Sequence, residues 1–369
     1  MGSTVYFTDM ATKQGNSLEH KFLKLLRKAG IEKLISPGDI VAIKVHVGER
    51  QNLGYLNHNY ARLVAEEVKK AGGNPFLTDT NTLYTGGRHN GVDHAVTAVH
   101  HGYTYATTGA PFIPADGIRG TEYTDIPVNG KQFTSVKLAS GILSADKIIF
   151  LSHFKGHLEA GFGGALKNMA MGCASIAGKM EQHSNAIPLF TEENCTGCRQ
   201  CVRICPSGAL SMNGKKAALD KEKCIGCGQC VAACNYEALA PDWGRHQEEF
   251  IERVGEYAMG VYNHFQEKAI YCNFATNITP DCDCWPVNEP PLVEDVGIFT
   301  STDPFALDAA TLEKVNKARR NTTSRFYEET SGKEQLFRGV YPHIDDTHVF
   351  TYLKGLGLSF EDYTLEQLS

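Results

Sequence analysis

A chain of 369 residues, 42% apolar and 21% charged, has the composition of a folded globular protein and is long enough for about two to three domains. Its net charge of −6, without any run of lysine and arginine, argues against a nucleic-acid partner. No apolar run approaches the roughly 18 residues of a membrane span, and the start, MGSTVYFTDM, lacks the basic and apolar regions of a signal peptide, so a cytoplasmic protein without a membrane partner is expected.

The first periodic segment is SLEHKFLKLLRKAG, where Leu18, Phe22, Leu25, Leu26 and Ala29 share one helical face. PGDIVAIKVHVG, Pro37 to Gly48, reads as a buried strand. It ends in a polar group, Lys44, His46 and Glu49. NHNYARLVAEEVKKAGG follows as a helix, and NPFLTDT as a second strand ending in Asp79, Thr80, Asn81 and Thr82. Tyr84 and the loop GGRHNG come next. This is one βαβ unit with a right-handed crossover.

FTSVKLASGILSADKIIFLSH is expected to form a helix and then a strand. That strand leads into LSHFKGHLEAGFGGALKNMAMG. His153, Lys155 and His157 stand at alternate positions, suited to proton transfer or metal ligation. Gly163 and Gly164 allow close backbone approach at a helix start, and Lys155 and Lys167 add positive charge. Lys155, Gly163, Gly164 and Lys167 are therefore expected to seat an anionic substrate, or a carbonyl that develops negative charge.

Eight of the twelve cysteines lie between Cys195 and Cys234. EENCTGCRQCVRICPSGAL and KEKCIGCGQCVAACNYEAL repeat at an offset of 29 residues, and each carries C-x2-C-x2-C-x3-C. Three thiolates from one tight loop and a fourth from the other motif are what a pair of cubane clusters needs. Cys195, Cys198, Cys201 and Cys234 are assigned to one [4Fe–4S] cluster. Cys224, Cys227, Cys230 and Cys205 are assigned to the other. Six basic residues against two acidic ones give this segment a net +4. That charge favours reduced clusters and docking of an acidic redox partner, such as a ferredoxin or its reductase. Residues 191–240 resemble bacterial two-[4Fe–4S] ferredoxins.

Beyond the cassette, RHQEEFIERVGEYAMGVYNHF reads as a helix, and KAIYCNFATNI and VEDVGIFTS as strands. Asp303 and Pro304 then open a helix as N-cap and N1. Between the two strands lies CDCWP. Cys282 and Cys284, with Cys173 and a histidine such as His153 or His183, make a candidate third metal site. Cys272 reads as core.

Strands alternating with helices give an α/β fold with a largely parallel sheet and flanking helices. The simplest architecture is one discontinuous α/β domain, 1–190 and 241–369, with a small α+β ferredoxin-like module inserted at 191–240. In open α/β sheets ligands gather beyond the carboxyl ends of the strands. His46, Asp79, His153, Lys155 and His157 are thus the candidate catalytic residues of one shared pocket.

KVHVGE, DTNTLYTGGR, SHFKGHLEAGFGGALKN, the cysteine cassette, CDCWP and VGIFTSTDPFALD together resemble the DUF362 family of iron–sulfur proteins. The resemblance covers nearly the whole chain. It implies an α/β domain coupled to ferredoxin-type clusters, and no particular reaction. The expected function is a ferredoxin-coupled reductase of a small anionic or carbonyl substrate, with electrons passing between the clusters and the pocket. The alternative is a non-catalytic electron carrier or a metal-handling maturation protein. No G-x-G-x-x-G follows the first strand, and nothing in the sequence indicates a flavin or a further metal beyond the Cys282 group.

Overall fold

Strands buried on both faces build the centre of the fold. The structure is a computed structural model of the chain and describes residues 2–183, 187–241, 247–360 and 362–368. One sheet contains β1 (Thr4–Thr8), β2 (Ile40–Lys44), β3 (Asn74–Asp79), β4 (Phe112–Pro114), β5 (Lys147–His153), β6 (Ala269–Ala275), β7 (Gly297–Ser301) and β8 (Thr364–Gln367). Its order is β8-β1-β7-β6-β5-β2-β3-β4. Five of the seven neighbouring pairs are parallel, and β7 runs against both β1 and β6. The fold is therefore the expected α/β class with a largely parallel sheet.

Each central strand divides its apolar residues between two cores, as its period of two requires. Val41, Ile43, Ile149, Leu151, Ile270 and Cys272 face one core. There they meet α1 (Leu18–Lys28) and α2 (His58–Lys70) through Phe22, Leu25, Leu63, Val64 and Val68. Ala42, Ile148, Phe150 and Tyr271 face the other core, with α4 (Ala165–Cys173), α6 (Gln247–His264) and α7 (Pro304–Asn316). Between α2 and α4 lies α3 (Gly91–His100), and α5 (Ile176–His183) follows α4. The α7 start is as expected, with the Asp303 carboxylate accepting from Phe305 and Ala306 N–H. The expected start of α6 at Arg245 lies outside the described residues.

One expected helix is a strand. In FTSVKLA, Ser135–Ala139 pairs antiparallel with Tyr123–Pro127, because Val136 and Leu138 alternate inward. Only Ser140–Leu143 behind it is helical.

The cysteine cassette shows its duplication in the backbone. Gly197 and Gly226, 29 residues apart, both have left-handed φ, 71° and 68°, as do Arg199 and Gly228, 65° and 68°. Thr191 N–H donates to Ala238 O, and the equivalent Asp220 N–H donates to Ala209 O. Leu189–Phe190 pairs with Leu239–Ala240, so the two ends of the cassette lie side by side. Its small core also takes in Leu83, Ile176 and Met180 from the α/β part.

Order in the sheet reverses between β2 and β5. β2 leads outward through β3 to β4, whereas β5 leads the other way. The crevice beyond their carboxyl ends is where side chains from both halves of the chain converge.

Candidate functional site

Past the end of β5 the chain stays extended. Lys155–His157 forms a hairpin with Gly161–Gly163, and Gly156 N–H donates to Thr279 O. Only glycine fits at 156, because a Cβ there would come within 2.1 Å of Pro280 O. This clamp lays SHFKGH against the segment that follows β6. The three alternate side chains all turn toward Cys282-Asp283-Cys284. His153 Nδ1 lies 2.7 Å from Asp283 Oδ2, and Lys155 Nζ 2.6 Å from Asp283 Oδ1. A ring nitrogen of His157 lies within 4.8 Å of both Cys282 Sγ and Cys284 Sγ.

The protonation pattern of these groups follows from their neighbours. Burial raises the Asp283 carboxyl, but His153 and Lys155 outweigh it and hold it well below the usual range. The other nitrogen of His153 faces Thr276 O at 2.7 Å, so both ring nitrogens meet acceptors and both donate when protonated. His157 is the opposite case. Its Nδ1 accepts from the N–H groups of Glu159 and Ala160, which leaves the ring proton on Nε2. Burial, aided by Lys167 and His183, pushes its pKa well below the usual value and keeps it neutral.

A second network stands at the ends of β2 and β3. Lys44, fully buried, donates to Asp79 Oδ1 at 2.9 Å, to Asn168 Oδ1 at 2.7 Å and to Val45 O. Arg88 holds Glu49 through Nε at 3.1 Å, contacts the Tyr84 hydroxyl, and places Nη1 3.1 Å from His46 Nε2. His46 Nδ1 accepts from Gly48 N–H. Burial and the Arg88 charge drive His46 well below the usual imidazole value. Burial raises Asp79 too, but Lys44, His94 and His46 outweigh it and hold it ionised. Asp79 Oδ2 and His94 Nε2 stand 3.6 Å apart, buried and without a hydrogen-bond partner. Glu49 N–H, beside Arg88, donates to Asp283 O at 2.8 Å, so the two networks adjoin and the five candidate catalytic residues share one region. Lys44, Glu49, Arg88, His94 and Asp283 belong to it as well.

Two expectations need correction. The anion seat at the start of α4 is filled by the protein itself. Ala165 and Leu166 N–H donate to the two oxygens of Asp308, at 2.8 and 2.9 Å. Gly164 makes room for that carboxylate, since a Cβ there would meet Asp308 Oδ1 at 2.5 Å. Lys155 is not part of the seat, because Asp283 and Gly54 O take its ammonium. Gly163 stands beside the stem of Lys167, whose Nζ lies 3.6 Å from Cys282 Sγ. The third metal site differs in its members: Cys282 and Cys284 bring their sulfurs within 4.8 Å of a nitrogen of His157, close enough to hold a metal ion, and not of Cys173, His153 or His183. Cys282 and Cys284 are bonded to each other as a disulfide. Cys173 is buried in the core of α4, its thiol pushed up to about 12 by burial. His183 pairs with Glu159 at 3.4 Å, and His153 with Asp283.

The cassette cysteines form two sets. Cys195, Cys198, Cys201 and Cys234 line one cavity, together with Phe190, Ala217 and Leu239. Cys205, Cys224, Cys227 and Cys230 line another, together with Pro188, Leu210 and Leu219. All eight are free thiols. Ala217 N–H points at Cys195 Sγ at 3.5 Å.

Two adjacent residues connect the cassette to the strand-end site. Thr85 Oγ1 donates to Cys234 O at 3.2 Å, and the Tyr84 hydroxyl donates to Cys284 O at 2.9 Å.

A family model described as a domain of unknown function, DUF362, matches residues 41–313. The chain belongs to the DUF362 family. The matched span of this DUF362 chain contains both cysteine sets, the disulfide and every residue of the strand-end networks. No curated protein matches it. Among solved structures, the lactate racemase apoprotein from Thermoanaerobacterium thermosaccharolyticum is similar at 10% identity and a TM-score of 0.42, over 85% of this chain and 58% of that one. A Thermotoga maritima protein is similar at 9% identity and a TM-score of 0.39, over 84% and 59%. The DUF362 chain thus spans under three fifths of the length of either. Among its described residues no helix is long and apolar enough to cross a membrane.

Proposed function

We propose that this DUF362 chain is an iron–sulfur oxidoreductase, in which a ferredoxin-like module at 191–240 exchanges electrons with the strand-end site of the α/β domain. Cys195, Cys198, Cys201 and Cys234 would hold one [4Fe–4S] cluster. Cys205, Cys224, Cys227 and Cys230 would hold the other. The observation that carries the reading is the crossing. In each cavity three cysteines come from one half of the duplication and the fourth from the other half, the ligand pattern of two-cluster ferredoxins. When bound, such clusters supply one-electron transfer at low potential.

The chain's own residues would do the rest. Tyr84 and Thr85 hold the two centres in contact. Asp283, fixed by Lys155 and His153, sets the position of the Cys282–Cys284 loop. His46, kept neutral by burial and Arg88, faces Gly48 N–H and the Arg88 guanidinium with its two ring nitrogens, while His153 sets both of its nitrogens against acceptors. Among the described residues Lys167 has no carboxylate within ion-pair distance, unlike Lys44 or Lys155. A small anionic or carbonyl substrate would be met by that ammonium rather than by the start of α4.

Anaerobically prepared protein should contain about eight irons and eight acid-labile sulfides per chain. Its visible absorbance should bleach with dithionite and return with an acceptor. Stoichiometric zinc with no sulfide would overturn the assignment.

A further inference from the structure

The Cys282–Cys284 bond is poorly suited to be a structural staple. It closes a loop of three residues, and so short a loop removes little entropy from the unfolded chain. Asp283, between the two cysteines, is already tied down by Lys155 and His153. The surroundings of the bond instead suit its cleavage. Cys282 is largely buried and Cys284 partly exposed, and the next residue, Trp285, is exposed. Cys282 Sγ receives the Lys167 ammonium at 3.6 Å and Cys284 N–H at 3.4 Å. His157 lies within 4.8 Å of both sulfurs, its single proton on Nε2. Positive charge and N–H donors on one sulfur stabilise it as a thiolate, the condition for a good leaving group in thiol–disulfide exchange.

We propose that Cys282-Asp283-Cys284 is a redox-active dithiol/disulfide centre that exchanges two electrons and two protons with a dithiol substrate or partner. The thiolate of the incoming dithiol attacks Cys284 Sγ. The S–S bond breaks, and its electron pair leaves on Cys282, held by Lys167 and the Cys284 N–H. The second thiolate of the incoming molecule then attacks the mixed disulfide and releases Cys284. The dithiol is oxidised to its disulfide, Cys282 and Cys284 are reduced, and the two protons of the dithiol end on the two thiols. The reverse sequence oxidises the pair. This chemistry does not depend on the cassette holding clusters, so its test stands apart from that of the oxidoreductase reading.

The full chain is equilibrated in mixtures of reduced and oxidised dithiothreitol, quenched in acid and alkylated, and the 282–284 peptide is weighed by mass spectrometry. The pair should open and close reversibly while circular dichroism stays native. Lys167→Met should move the equilibrium at least threefold toward the disulfide, whereas Lys317→Met, on a surface pair with Glu313, should leave it unchanged. In Cys284→Ser the lone Cys282 should react with iodoacetamide at neutral pH about tenfold faster with Lys167 than with Met in its place. A pair that opens only when the protein unfolds, or that never closes in oxidised dithiothreitol, would overturn the proposal. So would equal Cys282 alkylation rates with and without Lys167.

Discussion

The Lys155 ammonium sits 2.6 Å from Asp283 Oδ1 across 128 residues of sequence, with both side chains almost fully buried. With His153 on the other oxygen, this contact ties the end of β5 to the loop beyond β6. Removing one partner leaves a buried charge uncompensated. Asp283→Asn should therefore destabilise the protein by about 3–5 kcal/mol, measured by urea denaturation. Adding Lys155→Met should cost less than the sum of the two single changes, because it removes the orphaned charge. Additive costs would mean that the pair is not coupled.

Asp308 gives a pH dependence with a defined sign. Burial lifts its carboxyl to about 6, against the hydrogen bonds from Asn273, Leu166 and Ala165. Between about pH 4 and 6 the folded state thus binds more protons than the unfolded state, and this group's contribution to stability falls as pH rises. Asp308→Asn removes that contribution. One proton of difference between the two states changes stability by about 1.4 kcal/mol for each pH unit. The stability of the parent relative to Asp308→Asn should therefore drop by roughly 2 kcal/mol from pH 4 to pH 6, because the difference is less than one full proton at both ends of this window. A difference that stays flat across this window would contradict the buried, raised carboxyl.

Gly156→Ala tests the clamp that points SHFKGH at the Cys282–Cys284 loop. The new Cβ meets backbone, the carbonyl of Pro280 at 2.1 Å, so the strand must move. A loss of about 1–3 kcal/mol is expected, the usual cost of overpacking. Reduction of the disulfide by dithiothreitol should change as well, since His157 moves with the strand. Parent-like stability would show that the segment yields freely.

What is legible in the sequence follows spacing. The crossed cysteine sets come from a repeat of 29 residues, and the alternation of His153, Lys155 and His157 marks one strand face. What is not legible depends on distant partners. Asp283 lies inside a motif that reads first for its cysteines, and its two partners come from β5 and the chain just beyond it. Asp308 occupies the start of α4 from 143 residues away, and no local pattern reveals that a glycine-rich helix start already has its anion. Arg88 sits in GGRHNG, where the glycines read as turn formers and hide the one long cation. The edge strands β4 and β8 are short, and FTSVKLA carries a period of two that is clear only once Tyr123–Pro127 lies beside it.

The crossing of the cysteines is tested most directly by paramagnetic resonance and iron content on single variants prepared without oxygen. Cys205→Ala should perturb the cluster held by Cys224, Cys227 and Cys230, lowering iron from about eight toward about four per chain and leaving one reduced-cluster signal. Cys201→Ala should remove the other signal. The two spectra should sum to that of the parent, apart from any coupling between the clusters. If Cys205→Ala and Cys201→Ala instead lose the same signal, the fourth ligand comes from its own half and the account is wrong.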